Sequence, residues 1–138
     1  MLRKIIFICV GLFVSVFLLS ADEYTIKGRV LVKETGILYI GVFDEQAWEK
    51  DDALVGITLP VDELDVQRGF IDFCIDNLVS GIYMLSSFLD QNNNEELDMG
   101  LIFPKEPYGF YNKGRIPSFK KMSFSLNRNI ENIEIKLR

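Results

Sequence analysis

The chain has 138 residues, with 20 acidic against 15 basic side chains, no histidine and two cysteines. A net charge of −5 makes it a poor binder of nucleic acid or of anionic membranes, both of which attract basic surfaces. The absence of histidine excludes chemistry built on an imidazole base or metal ligand, and the length suits one domain with a core of its own.

Arg3 and Lys4 precede an apolar run from Ile5 to Leu19, and Ser20, Ala21, Asp22 and Glu23 follow it. That order is the basic, apolar and small-residue layout of a secretory signal peptide. The run is shorter than the about 20 apolar residues of a spanning helix. A signal-peptide helix over 1–21 is therefore expected, with cleavage after Ala21, although Leu19 is bulkier than such a site normally holds three positions before the cut. An uncleaved N-terminal anchor is the alternative. Cys9 lies in the middle of the run and not at its end, where a lipid-anchored signal would place it. The expected mature domain, 22–138, is periplasmic or extracellular and meets a membrane only through the signal segment before cleavage. It keeps 13 basic against 20 acidic residues, about −7, and Cys74 alone, so no internal disulfide can form.

Along this domain the apolar period is two. Tyr24, Ile26, Val30 and Val32 share one face, with Thr25, Lys27, Arg29 and Lys33 on the other, as in a half-buried strand. Glu34, Thr35 and Gly36 read as a turn, and Ile37 to Phe43 as the returning arm of a hairpin. From Asp44 to Arg68 the pattern fits a connection or short helix followed by an edge strand around Val55 to Leu59, where Pro60 is tolerated. In the next strand Ile71, Phe73 and Ile75 oppose Asp72, Cys74 and Asp76. The thiol of Cys74 thus stands among carboxylates, which raise rather than lower a thiol pKa, and it is read as inert.

Leu78-Val79-Ser80-Gly81-Ile82-Tyr83 reads as a sandwich corner, Gly81 taking a positive φ and the Tyr83 hydroxyl bonding back to the turn. Ser118 to Leu126 and Ile130 to Leu137 alternate as two further strands. About seven short strands without a long amphipathic helix predict an all-β fold, a single antiparallel Greek-key β-sandwich, Ig-like or transthyretin-like.

Between those strands lies the segment Asp90 to Asn112. Asp90, Asn92, Asn94, Glu96 and Asp98 place oxygen atoms at alternate positions, as a calcium loop does for an ion that takes six to eight oxygen ligands. The sixth and twelfth positions, however, hold Glu95 and Leu101 where an EF-type loop needs glycine and a bidentate acid. An Asn-rich turn capping its own backbone is the alternative. No cofactor other than calcium is suggested.

The order Leu78, Gly81, Tyr83, then Asp90 with Asn92, Asn94, Leu97 and Asp98, then Pro104 to Glu106 with Tyr108 to Phe110 and Asn112, then Pro117 to Phe119, resembles a bacterial exported family, domain of unknown function 2141. The resemblance implies a small secreted or periplasmic β-sandwich, similar to transthyretin-like and carboxypeptidase-regulatory-like domains, without an established activity. Members of that family usually carry a histidine before the first aspartate and glycines within the loop. Here those places hold Leu89, Asn93 and Glu95, and Glu95 would be strained in a left-handed turn.

Two functions follow. One is a non-catalytic module that binds a ligand or protein of the cell envelope through Glu106, Tyr108, Phe110, Tyr111 and Asn112, with Phe119 as a further aromatic anchor. The same rings would alternatively plug the open end of the sandwich. The other is a small carboxylate hydrolase such as a glycosidase, using two of Asp90, Glu96, Asp98 and Glu106 at about 5 to 10 Å.

Overall fold

The computed structural model describes residues 20–112 and 116–138; the expected signal helix lies outside them apart from Ser20 and Ala21, which are exposed and irregular. The described residues form eight strands and three short helices: β1 (Glu23–Leu31), β2 (Gly36–Phe43), α1 (Glu45–Lys50), β3 (Val55–Val61), α2 (Glu63–Arg68), β4 (Phe70–Val79), β5 (Gly81–Asp90), β6 (Tyr108–Phe110), α3 (Phe119–Met122), β7 (Phe124–Leu126) and β8 (Ile130–Lys136). One sheet has the order β4-β1-β8 and the other β3-β2-β5-β6, with β7 pairing the start of β5.

The alternation in the sequence sets which faces meet. Ile26, Val30 and Val32 from the first strand region, Phe73 and Ile75 from β4, and Ile133 and Ile135 from β8 pack with Leu38, Ile40 and Val42 of β2 and Leu85 and Leu89 of β5. Each aliphatic side chain buried this way contributes about 1.5–3 kcal/mol. The layers are therefore held by packing, as a chain with one thiol in this domain requires.

Four expectations need correction. β1 and β2 do not form a hairpin: β1 pairs with β4 and β8, while β2 pairs with β3 and β5. Period-two patterning fixes which side chains point inward and is silent on the partner. The two strands instead face each other across the core. Second, the pairing is not wholly antiparallel, because β8 runs parallel to β1, from Ile26↔Ile130 to Leu31↔Lys136. No tight turn joins these strands, so nothing local imposes the antiparallel sense. Third, Ser118 to Leu126 is not one strand, since Phe119–Met122 winds into α3 with Met122 buried before β7 begins. Fourth, positive φ among described glycines falls at Gly36 and Gly69 and not at Gly81. Gly81 serves another purpose: a Cβ there would stand 3.0 Å from the Tyr83 ring, which needs that space to fold back over the corner.

The two sheets meet along one seam. The Arg138 N–H donates to the Tyr108 carbonyl at 2.9 Å and the Tyr108 N–H to the Arg138 carbonyl at 3.4 Å, tying the end of the β8 segment to β6. Close approach is allowed by Gly109, where any Cβ would collide with the Lys136 carbonyl.

Candidate functional site

β5 ends at Asp90, and the chain then makes a long excursion before returning as β6. Asp90 is buried, and its two carboxylate oxygens accept the N–H groups of Asn94 at 3.3 Å and Glu95 at 2.8 Å. Glu106, also buried, accepts Gln91 N–H at 2.9 Å with Oε1 and Asp98 N–H at 3.1 Å with Oε2. Two carboxylates thus close the excursion from inside, accepting four backbone N–H groups of the loop.

The remaining loop side chains bond to one another. Asn92 Oδ1 accepts Asn94 N–H at 3.2 Å and Asn94 Oδ1 accepts Glu96 N–H at 3.1 Å, two successive Asx turns. The amide groups of Asn92 and Asn94 both donate to Asp98, the second at 2.7 Å. Asn93 and Glu95 take left-handed backbone, φ 58° and 65°, so the strain foreseen at Glu95 is present. Asp90, Asn92, Asn94 and Asp98 are thereby gathered into one knot, whereas Glu96 enters it through its backbone N–H. Among the described residues no group of three or more acidic, histidine or cysteine side chains stands in a metal-holding arrangement.

The aromatic residues divide. Tyr108 and Phe110 lie edge to face, 6.2 Å between centroids, and Phe110 meets Trp48 of α1 at 6.1 Å. Tyr108 pairs across the sheet with Phe88, and Phe88 with Tyr39, whose ring stacks on Phe88 at 4.9 Å. The rings of Tyr39, Phe88, Tyr108 and Phe110 stand on the face of the sheet turned away from the core, half exposed. Burial, then the charges of Glu95 and Asp90, raise the Tyr39 pKa, which places the loop beside this row. Tyr111 instead packs against the core and meets Phe124 at 5.4 Å. Asn112 donates to the carbonyls of Met122 and Ser123 at 3.1 and 3.3 Å, and Phe119 opens α3.

A groove of about 310 Å³ runs beside the seam between the sheets, lined by Tyr108, Phe110, Tyr111, Asn112, Lys136 and Arg138 among others. Neither Lys136 nor Arg138 pairs with a carboxylate among the described residues. A wider depression of about 650 Å³ covers the outer side of β4-β1-β8, but it is shallow, mixes Lys27 and Arg29 with Asp72, Glu131 and Glu134, and its Arg29 is paired with Glu134 at 3.0 Å. The groove by the seam is the better candidate, since its cations are uncommitted and its walls aromatic. Cys74 borders the depression, with its pKa raised by burial and by Asp76, to which its thiol donates at 3.5 Å.

Sequence reasoning overlooked Tyr39 and Phe88, and also Met99 to Phe103. The available signal was the same in both places. Ile37 to Phe43 is apolar on both faces, and Met99-Gly100-Leu101-Ile102-Phe103 is an apolar run inside a polar loop; surplus apolar residues beyond what a core needs call for a second surface.

No curated protein and no solved structure matches the chain significantly. A family model described as "Uncharacterized protein conserved in bacteria (DUF2141)" matches residues 26–134, from the first strand to the last and across the whole loop. The chain belongs to this bacterial family.

Proposed function

We propose that the protein is an exported, non-catalytic binding module of the cell envelope: a Greek-key sandwich of the Ig-like or transthyretin-like kind, residues 22–138, freed from a signal segment over residues 1–21. The observation that carries the binding role is the groove beside the seam, where Tyr108 and Phe110 share the lining with Lys136 and Arg138, neither paired with a carboxylate among the described residues, and with Glu134, which pairs with Arg29. Rings and cations together suit a ligand with a flat or apolar body and an anionic group. The chain's overall negative charge makes two uncommitted cations at one groove the more specific. Against a carboxylate hydrolase as the alternative weighs the fact that Asp90 and Glu106, two of its four candidate carboxylates, are buried and each accepts two backbone N–H groups, which commits them to bracing the loop.

The reading is tested by amide chemical-shift mapping of the labelled chain with acidic oligosaccharides and acidic peptides. Saturable shifts at Tyr108, Phe110, Lys136 and Arg138, lost in Lys136→Ala, are expected. Saturable shifts confined to another surface would refute it.

A second reading, favoured by the convergence of Asn92, Asn94 and Asp98, gives the loop a calcium ion held by Asp98, by the two amide oxygens after rotation, and by Asp90. Millimolar calcium then raises the melting temperature of the native chain and not of Asp98→Asn. An unchanged melt in calcium removes this reading and leaves the groove untouched.

A further inference from the structure

The long loop carries a short apolar finger. Met99 and Pro104 bridge its base, the Lys105 N–H donates to the Asp98 carbonyl at 2.8 Å, and the Gly100 N–H donates to the Phe103 carbonyl at 2.7 Å. On this braced turn Met99 is 60% exposed, Leu101 105%, Ile102 75% and Phe103 68%. Single exposed apolar side chains are ordinary in soluble proteins, whereas a contiguous cluster of large ones marks a contact site.

We propose that this finger is a membrane-contact element that enters the headgroup boundary of a bilayer made of zwitterionic lipids bearing an ammonium group. Size decides against a protein partner or a second copy of the chain. A stable protein interface takes about 20–30 residues and about 800 Å² per side, and four side chains on a projecting turn fall far short. A bilayer requires no matching groove and accepts a convex tip. The Gly100 and Lys105 hydrogen bonds brace the base of the turn, and the N–H groups at its tip are left to water and lipid headgroups, which keeps the finger at the headgroup boundary and out of the hydrocarbon. Leucine, isoleucine and phenylalanine are the side chains that transfer to it most readily.

Charge selects the lipid. Glu95 and Glu96 are exposed on the same loop, and Lys105 is exposed at the base of the finger. Carboxylates complement a headgroup ammonium and the lysine complements its phosphate, while the same carboxylates repel a surface of net negative charge. The acidic composition of the chain thus disfavours anionic bilayers and leaves neutral ones open.

Glu23, at the start of β1, pairs with Val79, next to the start of β5. The loop with its finger leaves the far end of β5, ten residues away, a span of roughly 30 Å. With Glu23 and the loop at opposite ends of β5, contact of the finger with a bilayer does not require the N-terminal segment.

The test is vesicle flotation of the chain from Asp22 to Arg138, which contains the whole core. Vesicles of phosphatidylethanolamine and phosphatidylcholine are compared with vesicles in which phosphatidylglycerol replaces part of the lipid. The domain is expected to float with the zwitterionic vesicles about tenfold more than a Leu101→Asp, Phe103→Asp double variant, and to bind less as phosphatidylglycerol rises. The variant keeps the native melting temperature, because both side chains are already in solvent. Failure of the native domain to float, equal flotation of the variant, or binding that grows with anionic lipid overturns the proposal. So does a concentration-dependent dimer in sedimentation that the double variant abolishes, which would assign the finger to a second copy.

Discussion

The hydroxyl of Tyr83 donates to the carbonyl of Val79 at 2.9 Å, joining the start of β5 to the end of β4 in the opposite sheet. Burial, then the charge of Asp44, raises the pKa of this phenol, so it stays a donor at any ordinary pH. Tyr83→Phe removes the bond and keeps the ring, and is expected to destabilise the fold by about 1 kcal/mol. Urea unfolding measures it. A midpoint identical to the native one would mean that the bond does not hold the corner.

Asp90 and Asp98 belong to one knot yet carry different burdens. Asp90→Asn turns an NH₂ group toward a backbone N–H in a buried place, and the expected loss is about 1–3 kcal/mol. Asp98→Asn alters side-chain partners that lie near the surface and is expected to change stability by no more than about 0.5 kcal/mol without calcium. Equal losses in denaturant titrations of the two variants would contradict the division between internal brace and outer knot.

Ser87 sits in β5 at 1% exposure, and its hydroxyl finds no hydrogen-bond partner among the described residues. An unsatisfied buried polar atom is a liability. Ser87→Ala is therefore expected to leave the melting temperature unchanged or to raise it, by up to about 1 kcal/mol in stability. A clear drop in calorimetry would show that the hydroxyl has a partner.

Asp62 and Asp65 cap α2 reciprocally: the Asp62 N–H donates to Asp65 Oδ2 at 3.0 Å and the Asp65 N–H to Asp62 Oδ1 at 2.9 Å. The Asp62 N–H chiefly, helped by the Arg68 guanidinium at 2.6 Å and opposed by partial burial, lowers the Asp65 pKa. A carboxyl with a depressed folded pKa adds stability above its unfolded value, about 3.9, and that contribution disappears as pH falls through the folded value. Melting temperature should therefore decline as pH falls below the unfolded value of about 3.9, less steeply in Asp65→Asn than in the native chain. Parallel curves for the two would argue that the cap does not titrate with folding.

What the sequence disclosed was mostly a matter of faces. Alternation alone places Ile26 with Val30 and Phe73 with Ile75 on inward faces, and they are in the core. The bond from Tyr83 followed from its distance to the corner. The partners of β1 were not legible, because a period of two carries no address. Nor was the short helix at Phe119–Met122, where Met122 meets the core from a helical turn instead of a strand. In the candidate site, the oxygen-bearing residues of the loop do converge, but Glu106 proves to be a brace and Asn112 holds the chain before β7. Those roles depend on backbone groups brought near from elsewhere, which no local spacing encodes.

The place of β1 in its sheet has a consequence for how the protein comes to be folded. The first strand made is bordered by the last, and Arg29 meets Glu134 across a separation of 105 residues. Pairings of such long range make folding slow, on the order of milliseconds to seconds. A chain in synthesis keeps one side of β1 unpaired until β8 has been made. Completion of the three-stranded sheet thereby waits for Ile130–Lys136, long after β1 and β4 are in place.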